Sequence, residues 1–108
     1  MSIIKPRRSS RIFGTTQKVA IGAASTAVTN PFGAQTRQIR ITANQHCHYH
    51  VYDTAGSATA SASTDPLLME PEVEYLTVNP GQKISVIQAA TDGVITAGTG
   101  TLWVTECI

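Results

Sequence analysis

Residues 73–88 read VEYLTVNPGQKISVIQ, two runs of β-branched and aromatic side chains joined by Asn79-Pro80-Gly81-Gln82. Proline presets φ for the first central position of a tight turn, and glycine accepts the positive φ of the second. The stretch is therefore strand, turn, strand. Working outward, similar runs at 17–21, 24–29, 36–43, 46–53 and 99–106 are punctuated by Asn30-Pro31-Phe32-Gly33, Ala43-Asn44-Gln45 and Asp92-Gly93. Short strands spaced near ten residues apart, with no stretch of helical periodicity, predict an all-β sandwich or barrel. Within them the period-2 pattern places Ile39, Ile41 and Ala43 on one face. It does the same for Cys47, Tyr49 and Val51, for Ile84 and Val86, and for Leu102 with Val104. Val73 and Tyr75 are expected to join this core, although the adjacency of Tyr75 and Leu76 leaves the phase of that strand open.

Composition agrees. A chain of 108 residues is one domain's worth. Only 14% of it is charged, against the usual quarter, which suggests that part of the surface is covered by a partner. Fifteen Thr and thirteen Ala beside eight Gly favour strands and small-residue turns. No apolar run reaches the ~20 residues of a membrane-spanning helix, and the opening residues lack a signal-peptide pattern, so synthesis and retention in a cytoplasm are expected. Cys47 and Cys107 are too few for a disulfide framework and read as small apolar side chains.

Charge is unevenly divided. Residues 1–18 hold five bases and no acid, whereas 19–108 hold three bases and seven acids. We therefore divide the chain into an extended basic arm, 1–18, and a β-sandwich domain, 19–108. The arm is either a solvated tail or a binding device. Its mixture of Lys5, Arg7, Arg8 and Arg11 with Ile3, Ile4, Ile12 and Phe13 suits a groove on an acidic protein better than DNA, which would not need the apolar pairs. Sixteen extended residues at ~3.3 Å each would reach about 50 Å.

Three further stretches matter. Residues 54–66, TAGSATASASTDP, lack any large side chain and read as a flexible excursion or a segment ordered against a neighbour. Leu67, Leu68 and Met69 follow and need a cover, under the domain's own sheet or in a subunit interface; we assign them to an interface together with Trp103, which alternation turns outward. His46, His48 and His50 alternate along one strand. Two such histidines can share a metal, but a site needs further ligands that the spacing does not supply. Hydrogen-bonded histidines on a polar face are the simpler reading, with no metal and no cofactor expected. Glu70, Glu72 and Glu74 read as an exposed edge. With no nucleophile elbow, phosphate loop or C-x-x-C pair, no enzyme is expected.

Val28-Thr29-Asn30-Pro31, TRQIRITANQHCHYHVYD at 36–53, LLMEPEVEYLTVNPGQKISVIQA at 67–89 and GTGTLWVTE at 98–106 together resemble small virion proteins of tailed bacteriophages, over about residues 19–106. The resemblance implies a β-sandwich or jelly-roll-like subunit of the particle. It would be a capsid decoration or cement protein that binds across major capsid protein subunits, often as a trimer, located in the virion capsid. It also implies acidic shell surfaces, to which a basic arm is complementary. The arm and the HCHYH run lie outside the resemblance. Competing readings are a neck or tail-connector subunit, a fibre-associated subunit, a carbohydrate-binding module and a metal-dependent cupin-like enzyme. Nucleic acid and membrane are not expected partners.

Overall fold

The computed structural model describes residues 13–91 and 95–108. Among them lie eight strands and no helix: β1 (Phe13–Ile21), β2 (Thr26–Ala27), β3 (Gln38–Ala43), β4 (Cys47–Tyr52), β5 (Leu67–Leu68), β6 (Val73–Thr77), β7 (Lys83–Gln88) and β8 (Gly100–Cys107). They form two antiparallel four-stranded sheets, ordered β1-β8-β3-β6 and β2-β7-β4-β5. The first strand pairs with the last, the second with the seventh, the third with the sixth and the fourth with the fifth. It is as if one long hairpin had been folded over, with β3·β8 and β4·β7 closing the two sheets. That is the strand order of a jelly roll.

Alternation builds the core between the sheets. Ile39, Ile41, Ala43, Leu102 and Val104 from one sheet meet Cys47, Tyr49, Leu68, Ile84 and Val86 from the other. The Asn79-Gln82 turn closes as its residues demand: Gln82 N–H donates to Asn79 O at 3.2 Å, and Gly81 takes φ of 86°. This turn joins strands of different sheets, so β6 and β7 are sequence neighbours that never pair.

The structure corrects several expectations, among them the exposed edge assigned to Glu74, which turns inward opposite Ile41. Residues 13–18 of the supposed arm belong to β1, because Thr16, Gln17 and Lys18 pair with Thr105, Val104 and Trp103 of β8. Residues 1–12, and with them Ile3, Ile4, Lys5, Arg7, Arg8, Arg11 and Ile12, lie outside the described residues. Val73 and Tyr75 are not core: Leu76 stands opposite Ile39 and Glu74 opposite Ile41, so Glu74 and Leu76 face inward and Val73 is 39% exposed. Register against two buried isoleucines decides the phase. Leu67 and Leu68 form a short strand, β5, and Leu68 is fully buried inside its own domain, which removes it from any interface; Leu67 and Met69 are half-buried. Finally, the 54–66 excursion is tied to the domain by its own hydrogen bonds, as described next.

Candidate functional site

Two outward faces hold the residues singled out from the sequence. On the β2-β7-β4-β5 sheet the three histidines alternate outward and bond to the segment that follows β4. His46 Nδ1 accepts from the Glu70 N–H at 2.9 Å. His48 Nδ1 lies 2.8 Å from the Asp65 carbonyl oxygen, to which only an N–H can be directed. His50 spans the excursion, with Nδ1 3.2 Å from Asp65 Oδ1 and Nε2 3.1 Å from the Ser57 carbonyl oxygen. Both neighbours are acceptors. Asp65 in turn accepts from Ser61 N–H at 2.7 Å through its other oxygen, and Ala60, nearly fully buried, donates its N–H to Ser25 Oγ at 2.9 Å. Side chains of this strand thus order a segment that has no large side chains with which to order itself. Among the described residues no three His, Cys, Asp or Glu groups are arranged to hold a metal ion.

Behind this face, burial pushes the Cys47 thiol up to about 12, which keeps it protonated and unreactive. The Tyr49 hydroxyl is raised as well, first by burial and then by its 2.8 Å hydrogen bond to Glu74 Oε1. That bond explains how a carboxylate is tolerated on the inward side of β6: it receives a donor from the opposite sheet.

The outward face of the β1-β8-β3-β6 sheet is different in kind. Its register sets two rows of side chains across four strands: Lys18, Trp103, Thr42 and Val73 in one, Thr16, Thr105, Arg40 and Tyr75 in the next. The two carboxylates in these strands both turn inward. Glu74 takes the Tyr49 hydroxyl, and Glu106 accepts from Gly33 N–H at 3.0 Å and from the buried Thr36 hydroxyl. Both bases in these strands, Lys18 and Arg40, turn outward. The result is a face carrying two cations, a tryptophan, a tyrosine and a valine, with no carboxylate from its own strands. The contact between His50 and the Asp65 carboxylate lies on the other sheet. Trp103 is therefore outward, as alternation requires, and it is brought together with Arg40, Lys18 and Tyr75, which sequence reasoning did not single out. Their signal was present as alternation in β3 and β8, but the side-by-side placement of β1, β8 and β3 has no trace in local sequence. Phe13, 54% exposed, stands at the edge of this face where the chain enters β1.

No protein-family model matches the chain, and neither a curated protein nor a solved structure is found similar to it.

Proposed function

We propose that this protein is a non-enzymatic structural subunit that docks on a protein shell through the outward face of its β1-β8-β3-β6 sheet, acting as a decoration or cement protein of a tailed-bacteriophage head. The observation that carries the docking reading is the segregation of charge in that sheet, with both bases outward beside Trp103 and Tyr75 and both carboxylates inward and hydrogen-bonded. A face of this composition matches an acidic protein surface. Aromatic and arginine side chains supply most of the binding energy at protein interfaces, and Lys18 at the margin favours encounter. Sugar recognition is less well served, because the face lacks carboxylates to accept from hydroxyl groups. The phage-head assignment is supported by the sequence resemblance.

The test is to add purified protein to particles that lack it and to count the copies bound. Hundreds of copies per particle, with binding lost in Trp103→Ala and Arg40→Glu, are the expected result; assembly as a trimer would be seen in the same preparations. About a dozen copies would move the protein to the neck or tail connector. Undiminished binding by both variants would reject this face as the docking surface.

A further inference from the structure

The described residues of the docking face enclose a recess at the edge of the sheet. β1 is an edge strand, and between Phe13 and Thr16 it carries one residue more than the opposing stretch of β8, a β-bulge. Beside the bulge opens a cavity of about 220 Å³, lined by Phe13, Gly14, Thr16, Arg40 and Thr105. Arg40 lies two strands away in the same row, and the residue between, Thr105, is small, so the guanidinium and the bulge share one space.

The polar side chains there are one guanidinium, which only donates, and two hydroxyls, which can donate as well as accept. Arg40 brings up to five N–H groups and has no ion-pair or hydrogen-bond partner among the described residues. The Thr16 and Thr105 hydroxyls lie 2.9 Å apart, so one donates to the other and the acceptor's own hydrogen remains for a ligand. Phe13, half-exposed, supplies an apolar wall on one side of the recess. A guanidinium without a partner, flanked by two hydroxyls that can donate, favours an anionic acceptor, and the planar fork of arginine matches a carboxylate in two parallel hydrogen bonds.

We infer that this recess is the seat for one Asp or Glu side chain of the protein on which the face docks, held by Arg40 and the Thr16–Thr105 hydroxyl pair against Phe13. The inference rests on the docking reading above and deepens it by naming the partner's anchoring group. A protein carboxylate fits better than a nucleic-acid backbone, because a strand of phosphates calls for a track of cations, and this face supplies a single cation at the recess with Lys18 in the neighbouring row.

The experiment follows the full-length protein by NMR as a short acetylated peptide with a central glutamate is titrated in, with the glutamine peptide as control. The glutamate peptide should shift the Arg40 side-chain Nε–H and the Phe13 ring with a Kd on the order of millimolar, as suits a single seat. The glutamine peptide should not. Arg40→Lys should weaken the response about tenfold by losing the fork, and Arg40→Gln should abolish it. Equal shifts with both peptides, an unchanged response in Arg40→Gln, or tighter binding of a short oligothymidylate at the same residues would each overturn the inference. Particle binding separates the two readings. If the recess fails while Trp103→Ala still abolishes docking on particles, the carboxylate seat falls and the docking face stands. If the peptide binds but neither Trp103→Ala nor Arg40→Gln alters particle binding, the docking face falls.

Discussion

Leu68→Ala distinguishes a leucine used by its own core from one reserved for a partner. The side chain is 0% exposed and sits on β5 opposite Cys47, itself 0% exposed. Truncation removes three buried carbons, about 2.4 kcal/mol of transfer free energy at ~0.8 kcal/mol each, and leaves a cavity that adds to the loss. β5 is only two residues long and lies at a sheet edge, so it can settle partway into the space, and the total should stay near the low end of the Leu→Ala range, about 3 kcal/mol. Against an overall stability of roughly 5–15 kcal/mol this leaves the protein folded but shifts its urea midpoint down by about 1–3 M, with the slope unchanged. Trp103, the single tryptophan, reports the transition by fluorescence. Leu67→Ala, half-buried and on the opposite face, should cost about 1 kcal/mol or less. Because the cover comes from the same chain, the Leu68→Ala midpoint should not depend on protein concentration. A loss below about 1 kcal/mol, or one that appears only on dilution, would show that the reasoning about β5 is wrong.

Three more outcomes are expected. Ile41→Ala and Val104→Ala should each destabilise by about 2–4 kcal/mol, while Thr105→Ala, which gives up one exposed hydroxyl pair, should cost under about 1 kcal/mol; equal values at Val104 and Thr105 in chemical denaturation would reverse the faces of β8. Stability should fall as pH rises above 9.0, because the unfolded Cys47 thiol then loses its proton while the folded one keeps it up to about 12. Each affected group contributes a slope of up to about 1.4 kcal/mol per pH unit, with Tyr49 adding from its ordinary value of 10.0 upward, and Cys47→Ala should flatten the curve between 9.0 and 10.0. His50→Ala should leave the circular dichroism spectrum unchanged but speed amide exchange at Ser61, whose N–H bonds to Asp65; unaltered protection there would mean that His50 does not order the excursion.

Much of this was readable along the chain, because alternation and turn chemistry are local. The burial of Ile39, Ile41, Ile84, Val86, Leu102 and Val104 follows from period 2, and the turn at Asn79-Gln82 from the geometry of proline and glycine. The outward placement of Trp103 and of the three histidines has the same origin. Where local signals conflict or fade, reading stopped short. Leu67-Leu68 is too short for alternation to register as a strand, and the adjacent Tyr75 and Leu76 left β6 undecided until Ile39 and Ile41 were placed opposite it.

The sequence by itself therefore determined the class of fold, the residues of most strands and the side of each strand that meets the core, since each depends on backbone sterics and on neighbours one to four residues away. Tertiary structure alone decided which strands lie side by side. Pairing β1 with β8, the first strand with the last, placed Phe13, Thr16 and Lys18 beside Thr105 and Trp103, and pairing β8 with β3 added Arg40. The composition of this outward face and its recess exist only through those long-range pairings, which arise from mutual burial of two sheets and leave no periodic mark on any single segment. For the same reason His50 and the Ser57 and Asp65 it holds look unrelated in a linear reading, yet folding closes them into one hydrogen-bonded unit.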